Sequence, residues 1–156
     1  MNRLKEYILV AIFFTFIISI LFNKVIFGNY VFASGDTLAP QAIKQGLKNI
    51  IDLNGSFPNW YPFIFSGMPT VHSLLNINEY YFPHKIIQLL HQIGLPWIWN
   101  FLFHYIFGSI GMYSLIRFFK QERIVAIFAS LLFVLSPYMV AYLVHGHGSQ
   151  IMTAVY

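Results

Sequence analysis

Chemistry-bearing residues gather at a few places in the 156-residue sequence. Ser34-Gly35-Asp36-Thr37 follows the first long apolar stretch. A carboxylate there can act as a general base or ligate a divalent cation, and the same aspartate can cap a following helix. His145-Gly146-His147-Gly148-Ser149-Gln150 closes the last apolar stretch. On one α-helix its histidines would point about 200° apart, too far to share an ion. An irregular backbone, which the glycines allow, would let them do so, or would present N–H groups and imidazoles to a phosphate. A glycine-terminated helix end facing water is the plainer reading. The third place is Pro58-Asn59-Trp60-Tyr61-Pro62-Phe63-Ile64-Phe65-Ser66-Gly67-Met68-Pro69. Its prolines and glycine preclude a continuous helix. Its aromatics predict packing onto a membrane surface, the helices, or a bound lipid or sugar, with Trp60 and Tyr61 as interfacial anchors or ring-stacking contacts.

The elements that must position these residues are those of a membrane protein. Hydrophobic residues make up 58% of the chain and charged residues 9%, against about 45–50% and roughly 25% in soluble domains. The mean hydropathy is +0.64. The formal charge of +4 comes from basic residues flanking apolar segments rather than clustered on one face, which points away from nucleic acid and towards encoded bilayer orientation. Cysteine is absent, which excludes disulfides and thiol chemistry.

Three apolar segments are long enough to cross about 30 Å of hydrocarbon: about residues 7–27, with Asn23 and Lys24 near the end; 96–116, opening on Trp97 and Trp99; and 124–144, with Pro137, Tyr138 and Tyr142 near its end. A cleaved signal peptide competes for the first, since Arg3 and Lys5 resemble an n-region and Val31-Phe32-Ala33 a cleavage site, but the apolar run is long for that role. Gly108, Gly111, Ala126 and Ser130 offer close helix packing. Arg3 and Lys5 before the first span, and Arg117, Lys120 and Arg123 between the others, predict a cytoplasmic N-terminus and an extracytoplasmic loop over 28–95. The fold class expected is all-α, with three transmembrane helices and a long outer loop, as one module over 1–156.

Within that loop, Ile43, Leu47, Ile50 and Ile51 form one stripe of a helix over about 38–53, with Pro40 in its first turn and Asn54-Gly55 as its stop. Ile86, Leu89, Leu90 and Ile93 do the same over 82–93. Both are expected to lie in the membrane interface. His104 is the ionisable residue within the second span, a functional candidate or a neutral histidine bonded to a neighbouring helix. The spans otherwise lack Asp, Glu or Arg near their middles, which counts against an ion-coupled transporter.

Gly35-Asp36, the stretch Trp60-Tyr61-Pro62-Phe63-Ile64-Phe65-Ser66-Gly67-Met68-Pro69, Tyr81-Phe82-Pro83 and His145-Gly146-His147 together resemble the bacterial YfhO-like membrane proteins. The resemblance covers nearly the whole chain but only the N-terminal part of such a family member. It implies a glycosyltransferase of the GT-C type in the bacterial inner membrane. Transfer there is from a polyprenyl-phosphate sugar donor to a glycan or polymer acceptor on the outer face. Asp36 matches the position of the acidic residue in the first outer loop. It would deprotonate the acceptor or hold a divalent metal. Lys44, Lys48, Trp60, Tyr61, His145 and His147 are the expected substrate-binding residues, with the lysines and the His-Gly-His segment facing the leaving phosphate.

The departure from the family is length: the chain stops at Tyr156. A fragment, inactive alone, is therefore expected. The rival reading is a non-enzymatic membrane subunit whose aromatic loop binds a partner protein or lipid.

Overall fold

The structure, a computed structural model, describes residues 2–28, 30–70 and 82–156. Residues 71–81 of the expected outer loop, Tyr81 of the Tyr-Phe-Pro motif among them, lie outside the described residues. The chain is mostly helical. Helix α1 (Arg3–Leu21) leads through Phe22 into the short α2 (Asn23–Phe27) and then α3 (Gly35–Asn54). A hairpin of β1 (Trp60–Tyr61) and β2 (Met68–Pro69) precedes α4 (Phe82–Gln92). The chain ends in α5 (Trp99–Phe118), α6 (Arg123–Val134), α7 (Pro137–His145) and α8 (Gly148–Ala154).

The Asn2 side chain starts α1 by accepting from the Leu4 N–H, one of the donors a helix start leaves unpaired. Glu6, Val10, Phe14 and Ile18 recur every fourth residue and are buried, so one stripe of α1 faces the protein. The rest of the helix is equally apolar: Leu4, Ile8, Ile12, Phe16 and Ile20 are exposed.

Helix α5 is the centre of the bundle and packs on both α1 and α6. Its buried face carries Asn100, His104, Tyr105, Ser109 and Tyr113. Two of those polar groups are satisfied locally or by a neighbour: Ser109 Oγ donates to the Tyr105 carbonyl and Tyr105 Oη donates to the Met139 carbonyl on α7 at 2.8 Å. Asn100 Oδ1, by contrast, is buried with no hydrogen-bond partner among the described residues. Ala126 and Ser130 of α6 are fully buried, as their small size suggested. Gly108 meets Val155 closely, whereas Gly111 faces open space.

Among the described residues, two helical segments are long and apolar enough to cross a membrane, Arg3–Leu21 and Arg123–His145. Helix α5, expected to be a third, has the length, with 20 residues, but its polar inner face keeps it out of that class. The segment Arg123–His145 is two helices rather than one. Leu135 ends α6, and Ser136 caps α7 by accepting from the Met139 N–H, with Pro137 in the first turn. Proline therefore opens a helix here, where its missing N–H costs nothing.

Of the two amphipathic stretches, α3 begins earlier than expected, at Gly35, so Pro40 falls beyond its first turn. Its stop is as expected: Gly55 is left-handed (φ 70°) and its N–H returns to the Ile51 carbonyl. Leu47 is buried, with Ile43, Ile50 and Ile51 half-buried around it. In α4, Ile87 is buried instead, while Ile86, Leu89 and Ile93 of the expected apolar face are exposed.

Candidate functional site

The N-terminus of α3 and the chain reversal between α7 and α8 come together through the packing of α3 on α7. Ser34 is the N-cap of α3 and Asp36 lies in the first turn. The carboxylate is thus not the cap itself; it benefits from the positive end of the helix without being consumed by it. Gly146 ends α7 in the left-handed region (φ 87°), and the His147 N–H bonds back to the Tyr142 carbonyl at 2.9 Å. Gly148 is buried so close to the Phe101 ring of α5 that a Cβ would lie 1.9 Å from it. Gly146 is favoured by its backbone conformation and Gly148 by its close packing on the Phe101 side chain, and the two flank His147.

The result is a carboxylate–imidazole pair: His147 Nε2 lies 3.3 Å from Asp36 Oδ2. Both groups remain open to solvent, with side chains 40% and 63% exposed. The edge of Tyr142 supports the imidazole, with ring centroids 5.5 Å apart, and Tyr138 packs on Tyr142 in turn. An exposed ion pair adds about 0–1 kcal/mol to stability, so fold stability is a weak reason for this pairing. Chemically the pair can take a proton from a hydroxyl, with the imidazole orienting or relaying it, or can hold an anion when the imidazole is charged.

The other expected site residues are dispersed. His145 is exposed at the end of α7 and does not join His147. No group of three His, Cys, Asp or Glu side chains able to hold a metal forms among the described residues. Lys44 and Lys48 are exposed on α3, about 12 and 18 Å along the helix from Asp36 at 1.5 Å per residue. A ligand touching them and Asp36 would have to lie along α3. Tyr61 is buried against α3 at Gly46, where a Cβ would meet its hydroxyl at 2.2 Å. Its role there is to seat the hairpin. Trp60 covers Gly67 and stays exposed. Phe65, Ser66 and Gly67 are successive left-handed residues, and this turn leaves Phe63 and Phe65 exposed, Phe65 by 87%.

Two polar clusters escaped the reading of residues alone. At the opposite end of the bundle the buried Glu6 accepts from Tyr113 Oη at 2.6 Å and pairs with Arg117 Nε at 3.3 Å and Arg123 Nη2 at 3.1 Å. Arg117 and Arg123 had looked like orientation signals only. The available signal was Glu6 itself, an acid at the very start of the first apolar segment, among the basic residues that flank it. The second cluster surrounds His104, itself a candidate from the sequence, whose Nδ1 bonds to the Asn100 carbonyl of its own helix at 2.6 Å and whose ring meets that of Tyr156 edge-on. The Asn100 amide also reaches His91 Nε2 on α4 at 3.4 Å.

Comparison with protein-family models, curated proteins and solved structures finds no match for this chain.

Proposed function

We propose that this chain forms part of a polytopic membrane glycosyltransferase of the YfhO-like, GT-C type, with Asp36 as the base that activates the acceptor. The observation that carries the reading is the Asp36–His147 pair at 3.3 Å. Two of the residues that the resemblance singles out, far apart in sequence, are joined in space and open to a substrate. In the proposed transfer the acceptor hydroxyl oxygen attacks the anomeric carbon of a polyprenyl-phosphate sugar. The bond from that carbon to the phosphate oxygen breaks, the lipid phosphate leaves with the electron pair, and Asp36 takes the acceptor proton. His147 orients the carboxylate and carries the proton onward.

Bilayer placement is part of the proposal. Only 22% of each apolar segment, Arg3–Leu21 and Arg123–His145, is buried in the protein, unlike core helices of a soluble domain. Hydroxyls on these helices are satisfied internally, as Thr15 to the Ala11 carbonyl and Ser130 to the Ala126 carbonyl, which suits a solvent without hydrogen bonds. Helix α5 is the third span in this reading. The grouping of Arg117 and Arg123 around Glu6, at the end remote from Asp36, supports a cytoplasmic N-terminus and an extracytoplasmic site.

The test is transfer of a radiolabelled sugar from polyprenyl phosphate by membranes carrying the complete protein. Asp36→Asn is expected to abolish transfer with expression unchanged. His147→Asn is expected to lower it by about 10²- to 10⁴-fold, the usual contribution of a proton-transfer group. Full activity in Asp36→Asn would remove the carboxylate from the chemistry. The exposed Trp60, Phe63 and Phe65 of the hairpin favour one second reading, a membrane subunit that docks a partner or lipid through this hairpin. It would gain if substituting these aromatics abolished complex formation while both site variants stayed functional.

A further inference from the structure

At the end of the bundle remote from Asp36, a cavity of about 420 Å³ opens between the start of α1 and the end of α5. Arg3, Arg117 and Lys120 line it, with Tyr7 and Ser114 between them and Glu6 on one wall. The Glu6 carboxylate is already satisfied by Tyr113, Arg117 and Arg123, so the cavity keeps a positive surplus. Arg3 and Lys120 are exposed and make no ion pair among the described residues. Lys120 stands in the left-handed region (φ 58°) at the turn after α5, a conformation that glycine adopts at less cost. Leu4, Phe118, Phe119 and Ile124, near the same end, are exposed.

We infer that this cavity binds the phosphate of an anionic glycerophospholipid. Cationic pockets between helices at a membrane surface suit phosphate headgroups, and arginine takes phosphate oxygens through a fork of N–H donors. The exposed apolar residues nearby offer a path for acyl chains, which a free phosphate in water would not need. The lipid would tie α1 to the α5–α6 turn, at the joint that Glu6 already makes. The inference rests on bilayer placement and not on transfer chemistry, and it concerns the other end of the molecule.

The experiment titrates the full chain in maltoside micelles with dioctanoyl phosphatidylglycerol and follows binding by native mass spectrometry. Saturable binding is expected, and Arg3→Gln/Lys120→Gln should weaken it about 30-fold, or roughly 5-fold per charge. Lys24→Gln in α2, at the other end of α1, should leave it unchanged. Ser114→Leu keeps every charge but fills the cavity, and should also remove saturable binding, which decides the matter if the double variant fails to fold. Equal losses in Lys24→Gln, no loss in either cavity variant, or equal binding of dioctanoyl phosphatidylcholine would overturn the inference. Displacement of the lipid by millimolar inorganic phosphate would also overturn it, by assigning the cavity to a soluble anion.

Discussion

At the residue scale, the two acids that matter are built in opposite ways. Asp36 is exposed and paired with a half-exposed imidazole, whereas Glu6 is buried and accepts from three side chains at once. Removing an exposed partner costs little, but leaving buried hydrogen-bonding groups unmatched costs more. Tyr113 is nearly fully buried and donates to the carboxylate. Tyr113→Phe should therefore lower unfolding stability by about 1.5 kcal/mol, the lower end for a bond to a charged group. Glu6→Ala should destabilise more than either Arg117→Gln or Arg123→Gln alone, since each arginine substitution leaves the carboxylate two partners. Thermal unfolding in micelles checks both statements, and a Tyr113→Phe protein as stable as the parent would show the bond to be idle. Asp36 was legible as a candidate because a carboxylate beside an apolar stretch is conspicuous. Its partner His147 was legible as a residue, but the pairing was not, because it depends on how α3 docks on α7. The Glu6 cluster was hidden for a similar reason: charges at helix ends carry an orientation meaning that masks a structural one.

At the element scale, helix periods and stops were readable and docking was not. The stripe of α3 and its Gly55 stop follow from residue types alone. The exposure of Ile86, Leu89 and Ile93 on α4 depends on neighbours that no local pattern specifies, whereas the break before Pro137 has a local signal in Ser136-Pro137, a cap followed by a first-turn proline. The hairpin shows the same division: its prolines and Gly67 announce an irregular segment, but its seat on Gly46 is a tertiary fact. That seat is testable. Gly46→Ala would gain up to about 1 kcal/mol of helix propensity, yet its Cβ would lie 2.2 Å from the Tyr61 hydroxyl and 3.2 Å from Cζ. Overpacking of that kind costs about 1–3 kcal/mol, so the hairpin should lift and become open to proteolysis near the exposed Phe63 and Phe65. Gly46→Ala/Tyr61→Phe deletes the clashing oxygen and should restore protease resistance. Equal resistance in the parent and Gly46→Ala would mean that the hairpin does not rest on α3 as described.

At the scale of the whole molecule, what must be explained is how much apolar surface faces outward. A composition of 58% hydrophobic residues already implied it, and the bundle shows where it lies: on α1, only the stripe through Glu6, Val10, Phe14 and Ile18 is buried. Ile12 lies near the middle of α1 and is 60% exposed, pointing away from α5. Water and lipid make opposite demands on that position. If α1 were solvated, Ile12→Lys would remove an exposed hydrophobe and would be neutral or improve solubility. In a bilayer the same change places an ammonium near the centre of the hydrocarbon. Insertion scales put Ile at about −0.6 and Lys at +2.5 kcal/mol or more, a penalty of about 3 kcal/mol, or roughly 150-fold in the insertion equilibrium. The inserted fraction of Ile12→Lys should therefore fall steeply, measured by resistance to alkaline extraction. Lys24→Ile, which removes a cation from the far end of the segment, should not reduce it. Because Ile12 makes no part of the buried stripe, loss of insertion cannot be ascribed to a damaged core, and retention of full insertion by Ile12→Lys would place the outer face of α1 in water.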